Sequence, residues 1–174
     1  MLFRSRTTEQ RRFFNLQQVC HEIIATMMNR IRAANHSIDM DVPDTIGMDS
    51  YPGPFGQVIT NFINNALLHA FDTGTSGTML LRATLHVDGR VLIEFSDDGG
   101  GIPAEHLGRI FDPFFTTKLG QGGSGLGLSI SYNIVTSLLG GHIMVDSAPQ
   151  HGTCFKLDLP LTAPQQDGSG ASIY

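Results

Sequence analysis

The residues Asp97-Asp-Gly-Gly-Gly-Ile-Pro103 are the stretch from which we infer the fold. They follow an alternating apolar run, Val91 to Phe95, which predicts a strand ending at the aspartate. A carboxylate at a strand end can accept a hydrogen bond from an exocyclic amine such as that of adenine, and glycines let the backbone approach a flat base. An ordinary Asp/Gly turn is the alternative interpretation, but it accounts less well for three successive glycines.

The segments around this stretch predict five strands and three main helices. The predicted strands are residues 37–42, 78–87, 90–96, 142–147 and 153–159, and the predicted helices are residues 15–34, 57–71 and 129–139. Asp88-Gly89 predicts a two-residue hairpin loop. Because adjacent strands can pair as hairpins and no βαβ alternation occurs, we predict a two-layer α/β sandwich. It would have a mixed five-stranded sheet with the helices on one face.

A line of polar side chains runs along the second predicted helix. Asn61, Asn65 and His69 are spaced by four residues, so they share one helical face. Mg2+ prefers oxygen ligands, and an amide oxygen supplies one without adding negative charge beside a triphosphate. The spacing is therefore consistent with a magnesium and phosphate site, and equally with a solvated polar stripe.

Two unusual segments follow the Asp-Gly stretch. Phe111-Asp-Pro-Phe-Phe-Thr-Thr-Lys118 has three phenylalanines without strand or helix periodicity, and its lysine can reach phosphate as a point charge or lie on the surface. Gly120-Gln-Gly-Gly-Ser-Gly-Leu-Gly-Leu128 contains G-x-G-x-x-G, but no strand leads into it, which argues against a dinucleotide fingerprint. Its glycines instead run into the third predicted helix, whose free N–H groups can bind phosphate.

In this order, the Asn helix, Asp-Gly turn, Phe segment and Gly-rich helix start resemble the N, G1, F and G2 boxes of histidine kinase catalytic domains. The wider superfamily includes DNA gyrase B, the Hsp90 chaperones, the MutL proteins and the mitochondrial dehydrogenase kinases. The resemblance implies the Bergerat fold, with ATP held between the helical layer and a flexible lid. We therefore expect residues 15–160 to form the ATP-binding domain, residues 1–14 to end a helical hairpin or linker, and residues 161–174 to be a disordered tail.

The resemblance also implies roles for individual residues. Asn65 resembles the magnesium ligand and Asn61 its catalytic partner on the same helical face. Asp97 resembles the carboxylate that binds adenine. The other implied nucleotide contacts are Gly99, Gly101 and Ile102 around the base, and His69, Phe115, Thr116, Thr117, Lys118, Gly123, Ser124, Gly125, Leu126 and Gly127. Phe111, Phe114 and Phe115 resemble anchors of the lid.

Two positions bear on the reaction. Many family members carry a lysine three residues after the magnesium asparagine, where this chain has Leu68, so we expect His69 or Lys118 to supply the positive charge. The hydrolysing branches carry a glutamate four residues before that asparagine, which activates water as a general base. Here the position is Asn61, whose amide cannot accept a proton at neutral pH. The resemblance therefore favours phosphoryl transfer over hydrolysis.

The resemblance implies transfer of the γ-phosphoryl group to a histidine on a dimeric helical hairpin, and from there to an aspartate of a response regulator. His21-Glu22 lacks the Arg or Asn and the Pro that follow the acceptor histidine in the family, so we interpret His21 as structural and expect the acceptor outside this chain. Two alternatives remain. One is a degenerate or regulatory module that binds nucleotide or a partner without catalysis, and the other is a serine-protein kinase of the anti-sigma type.

Composition excludes several other classes of function. The 174 residues carry a net charge of −5 with scattered arginines, which argues against nucleic-acid binding. No apolar run approaches the roughly 20 residues of a membrane span, and Met1 to Arg12 lacks the apolar core of a secretion signal. Cys20 and Cys154 are too few for a disulfide framework. We therefore expect a cytoplasmic domain that makes no membrane contact itself. The cytoplasmic part of a membrane-anchored sensor would meet this expectation.

Overall fold

The computed structural model describes residues 10–118 and 122–166. All five predicted strands and all three main predicted helices are present within these ranges. In chain order the elements are β1 (Arg12–Asn15), α1 (Leu16–Ala33), β2 (Ser37–Asp41), β3 (Gly47–Ser50), α2 (Pro52–Asn65), β4 (Thr78–Leu85), β5 (Arg90–Asp97), α3 (Ala104–Leu107), α4 (Gly127–Asn133), β6 (His142–Ser147) and β7 (Thr153–Pro160). The helices α2 and α4 each continue into a π-helical turn, Ala66–Ala70 and Ile134–Leu138.

The main sheet has five strands in the order β2-β4-β5-β7-β6. The strands β2 and β4 are parallel and the other neighbours are antiparallel, which confirms the predicted mixed sheet. One face of the sheet is buried because its strands alternate apolar and polar side chains. On this face Phe62 of α2 stacks on Phe155, with ring centroids 4.6 Å apart, and on Phe95 at 5.9 Å. The α/β sandwich is thus closed by aromatic packing between α2 and the central strands.

The helix α1 follows the apolar periodicity of its sequence, and Leu16 and Ile31 are fully buried. Asn15 caps its N-terminus, because Oδ1 accepts a hydrogen bond from the Gln18 N–H at 3.0 Å. The Nδ2 group of Asn15 also donates to the Asp44 carbonyl at 2.7 Å, which ties the cap to the loop before β3. In the described ranges, even α1 is not long and apolar enough to cross a membrane, and neither is any other helix.

Two local predictions were wrong in detail. The helix α2 begins at Pro52, not at residue 57, because the first-turn N–H groups of a helix have no intrahelical partner and prolines there remove no hydrogen bond. The hairpin between β4 and β5 has a loop longer than two residues, since the His86 N–H still pairs with the Arg90 carbonyl at 2.8 Å. Gly89 closes this loop with φ of 76°.

A two-stranded sheet of β1 and β3 lies outside the predicted set of strands. The Asp49 N–H donates to the Leu161 carbonyl, and the Ala163 N–H donates to the Asp49 carbonyl, each at 2.8 Å. Ala163 is buried. Residues 12–14 thus pair with β3, and Leu161 and Ala163 bond to Asp49 of the same strand. Residues 1–9 of the predicted hairpin end and residues 167–174 of the predicted tail lie outside the described residues.

We expect Asn15→Ala to lower the free energy of unfolding by about 1–2 kcal/mol, because it removes both the cap and the bond to Asp44. Asn15→Ser is the matched control, since its hydroxyl can still cap α1 but cannot replace the longer contact. It should retain part of the lost stability in urea unfolding. Equal losses in the two variants would show that the cap contributes nothing.

Candidate functional site

Two adjoining cavities lie between the end of α2, the segment after β5 and the glycine-rich start of α4. Their volumes are about 470 Å³ and 210 Å³. Asn65, His69, Phe115 and Thr116 line both. Of the other predicted site residues, the larger cavity adds Asn61, Gly123, Ser124, Gly125 and Gly127, and the smaller adds Gly101, Ile102, Thr117 and Lys118. The fold thus brings together residues from all four sequence segments.

Three predicted site residues, Asp97, Gly99 and Leu126, do not line either of these cavities. Asp97 ends β5 and is 9% exposed, and its Oδ1 accepts a hydrogen bond from the Gly99 N–H at 2.9 Å. Burial raises the pKa of Asp97, although hydrogen bonds from the Gly99 and Thr153 backbones act in the opposite direction. A carboxylate desolvated in this way is a strong acceptor for any donor that reaches it.

The glycines after Asp97 are required by contacts with the protein itself. A Cβ on Gly99 would overlap the carbonyl oxygen of Ala70, and one on Gly101, which has φ of 75°, would overlap that of Ala148. Between them, the Gly100 N–H donates to the Ala70 carbonyl at 2.8 Å, and the Gly100 carbonyl accepts from the Gln150 N–H at 2.7 Å. The Asp-Gly turn is therefore fixed between the π-helical turn after α2 and the β6–β7 turn. These contacts require glycine for a reason that differs from the predicted approach of a base.

Asn61 and Asn65, the predicted site residues of α2, differ in their contacts. Asn61 donates through Nδ2 to the Gly127 carbonyl and to Ser131 Oγ, each at 3.0 Å, which joins α2 to the first turn of α4. This network directs the amide nitrogen towards α4, and Asn61 Oδ1 has no partner among the described residues. The side chain of Asn65 likewise makes no hydrogen bond within them.

A magnesium ion at this site would have to be coordinated by amide oxygens of the protein and by oxygens of a bound nucleotide or water. In residues 10–118 and 122–166, no group of three or more His, Cys, Asp and Glu side chains could hold a metal ion. Asn65 lies where both cavities meet and offers an amide oxygen, the ligand type that Mg2+ accepts. The residues present therefore fit a magnesium ion that takes most of its ligands from bound phosphate and water.

His69 does not carry the positive charge that the sequence suggested. Burial lowers its pKa below the ordinary value of 6.5, and the nearby charge of Lys118 lowers it further. Its Nδ1 lies 3.4 Å from Thr117 Oγ1. At neutral pH the ring is therefore an uncharged hydrogen-bonding group, and Lys118 remains as a cation of the smaller cavity.

The lid segment (residues 104–118 and 122–126) is held mainly by two of its three phenylalanines. Phe111 packs against Tyr132 and Phe155, with ring centroids 5.6 Å and 6.4 Å away, and Phe115 packs against the hydrophobic core. Within the lid segment, the Arg109 guanidinium lies 4.7 Å from the Phe115 ring centre. Phe114 is 72% exposed, so its expected role as an anchor is wrong for the ring. It adopts φ of 66°, and its N–H donates to the Gly125 carbonyl at 2.7 Å.

Two polar residues that line the larger cavity, Arg30 and Asn64, were not among the predicted site residues. Arg30, on α1, donates from Nη1 to Asn64 Oδ1 at 2.6 Å. Nothing in the local sequence distinguishes Arg30 from other polar residues on the outer face of α1. Its position depends on how α1 packs against α2, which no motif encodes.

Comparison with known proteins identifies the family. A family model described as histidine kinase-, DNA gyrase B- and HSP90-like ATPase matches residues 51–163. The adaptive-response sensory kinase SasA of Gloeothece citriformis is 34% identical over 149 residues, which cover 84% of this chain and 37% of SasA. The chain spans between 14% and 37% of the length of several curated relatives.

Solved structures show the same fold. The nucleotide-free catalytic domain of histidine kinase ThkA has a TM-score of 0.75 at 26% identity, covering 89% of this chain and 99% of that one. ThkA in complex with the response regulator protein TrrA gives a TM-score of 0.71 at 26% identity, over 87% of this chain and 42% of that one.

We expect Asp97→Asn to raise the free energy of unfolding of the ligand-free chain at pH 7. The raised pKa means that ionised Asp97 opposes folding above its folded-state pKa, while below about pH 3.8 the carboxyl is protonated in both states. The gain should therefore shrink when urea unfolding is repeated near pH 3. Asp39→Asn, on the exposed side of β2, is the control for removal of one negative charge. An equal gain at both pH values would contradict the role of ionisation.

Proposed function

Because the chain belongs to the family of histidine kinase-, DNA gyrase B- and HSP90-like ATPases, we propose that it binds Mg-ATP and transfers the γ-phosphoryl group to a protein histidine. The observation that carries this proposal is the chemistry of the two cavities. Among the described residues that line them there are amides, hydroxyls and glycines but no carboxylate. Such a cleft does not repel a triphosphate and offers no acidic side chain to activate water.

The nucleotide would lie along both cavities. The base belongs in the smaller one, beside Gly101 and Ile102, with Asp97 accepting a hydrogen bond from the exocyclic amine of adenine. The phosphates belong in the larger one, where the glycine-rich segment and the N–H groups of Leu126 and Gly127 can approach them. Gly99, His69, Phe115, Thr116, Thr117, Lys118, Gly123, Ser124 and Gly125 complete the proposed set of nucleotide contacts.

Asn65 is the proposed magnesium ligand, with Asn61 as its catalytic partner. A bound Mg2+ would offset the charge of the phosphates and favour departure of ADP. Asn61 contributes by holding α4 against α2 through Gly127 and Ser131, which keeps the glycine-rich segment beside the phosphates.

In the transfer step, an unprotonated ring nitrogen of the acceptor histidine forms a bond to the γ-phosphorus. The bond from that phosphorus to the bridging oxygen breaks, and ADP leaves with its electron pair. His21 lacks the expected acceptor motif, so the acceptor is assigned to a separate dimerisation hairpin, and a response-regulator aspartate would receive the phosphoryl group next. The ThkA complex with TrrA supports a partner of the latter kind.

The proposal is tested by calorimetric titration of the chain with ATP, with and without magnesium. We expect Asp97→Asn to weaken ATP binding at least about a hundredfold, because the exocyclic amine of adenine would lose its charged, buried acceptor. Asn65→Ala should weaken binding only when magnesium is present. The wild-type chain with magnesium and ATP should then phosphorylate a purified helical hairpin that carries an acceptor histidine.

Three results would contradict the proposal. A folded wild-type chain that binds no nucleotide would indicate a degenerate or partner-binding module. Binding without transfer to the hairpin would indicate a regulatory nucleotide-binding module. Release of inorganic phosphate without an acceptor would indicate a hydrolase.

The lid segment gives a second prediction. Gly125 has φ of 72°, and a Cβ there would overlap the Phe114 backbone, so Gly125→Ala should displace the bond between these residues. The strain of about 1–2 kcal/mol should lower ATP affinity about tenfold, with little effect on global unfolding. Gly108→Ala is the matched control, since its Cβ would meet open space. If both variants bind ATP like the wild type, the lid contact does not contribute.

A further inference from the structure

The distribution of positive charge in the cleft is uneven. The larger cavity is lined by one side chain that is cationic at neutral pH among the described residues, Arg30. His69 also lines it, but burial and the charge of Lys118 lower its pKa and leave it neutral. Lys118 lines the smaller cavity and not the larger one. Any polyanion in the larger cavity therefore depends on Arg30 for its nearest protein cation.

Arg30 is held where it can serve that purpose. Its Nη1 donates to Asn64 Oδ1 at 2.6 Å, and Asn64 precedes Asn65, the proposed magnesium ligand. The guanidinium forms no ion pair with a carboxylate in residues 10–118 and 122–166. A guanidinium has five N–H donors, so donors remain for a ligand after the bond to Asn64. Its charge thus lies at the cavity on an exposed side chain and is not neutralised by these residues.

Resting on the proposed function, we propose that Arg30 binds the terminal phosphate of the nucleoside triphosphate. Arg30 lines only the larger cavity, whereas Gly101 and Ile102, which lie beside the proposed base, line only the smaller one. Lys118 lines the smaller cavity together with Gly101 and Ile102. Arg30 therefore lines the part of the cleft that lies outside the proposed base pocket, the part in which the third phosphate of ATP would extend beyond the two of ADP. A planar guanidinium matches phosphate oxygens geometrically.

The competing interpretation is that Arg30 only links α1 to α2 through Asn64. The two roles differ in what they do to ligand selectivity. A structural link would affect ATP and ADP alike, because both use the same cleft. A contact to the terminal phosphate would affect ATP alone, because ADP lacks that group.

The experiment measures ATP and ADP affinities by calorimetry, with magnesium, for the wild type, Arg30→Gln and Arg32→Gln. We expect Arg30→Gln to weaken ATP binding about tenfold, the scale of one charge-assisted hydrogen bond, and to leave ADP binding within about twofold. Arg32→Gln is the matched control, since Arg32 is exposed in the same last turn of α1 and lines neither cavity. It should bind both nucleotides like the wild type.

A second variant tests whether charge is the cause. Leu68 lines the larger cavity, so Leu68→Lys in the Arg30→Gln background places a cation there again and should recover part of the preference for ATP. Equal losses for ATP and ADP, or no loss, in a folded Arg30→Gln chain would overturn the role of Arg30. The proposed function would stand in that case, because the wild type would still bind ATP. Failure of the wild type to bind either nucleotide would overturn both.

Discussion

The stack of Phe62 on Phe155 and Phe95 is the packing on which the cleft depends, because it fixes the rotation of α2 about its own axis. Full burial of a phenylalanine stabilises a fold by about 1.5–3 kcal/mol, so turning α2 to bury another face would be costly. Asn61 precedes Phe62 in the chain and lies one turn from Asn65, so both amides are directed into the cavity once Phe62 is buried. Burial of Phe62 thus determines that the polar face of α2 is turned towards the cavity.

From this fixed helix, backbone contacts position the other walls of the cleft. The π-helical turn after α2 ends at Ala70, whose carbonyl holds the Asp-Gly turn through Gly100, while the Asn61 amide holds the start of α4 through Gly127. The first contact needs close backbone approach, so Gly99 cannot carry a side chain, whereas a Cβ on Gly127 would meet Asn61 at an ordinary 3.7 Å. The Asp-Gly turn and the start of α4 are therefore both held by contacts with α2 and the π-helical turn that follows it.

The fold was predictable where a pattern is local, and the site where its residues cluster along the chain. The five strands of the main sheet and the stripe of α1 follow from alternation and periodicity, which burial enforces residue by residue. The strand β3 has only one apolar residue among Gly47–Ser50 and forms because β1 and Leu161 supply its hydrogen bonds. Arg30 reaches the cavity through helix packing. The Phe114 ring is exposed, and its backbone has a positive φ and bonds to Gly125. These features depend on tertiary contacts that the sequence does not display locally.

Asn61 places an amide where a carboxylate would be negatively charged, and this one difference affects both the activation of water and the repulsion of phosphates. A carboxylate at Asn61 would accept a proton from water, and it would also repel the phosphates across a short distance in a partly desolvated cavity. The amide removes both effects, and its nitrogen donates to Gly127 and Ser131, which leaves Oδ1 without a partner among the described residues. Under the proposed function, retention of a triphosphate and slow attack by water would therefore have the same cause. Both would follow from a cavity wall that carries amide oxygens but no carboxylate, and such a wall would leave the γ-phosphoryl group intact until the acceptor histidine reaches it.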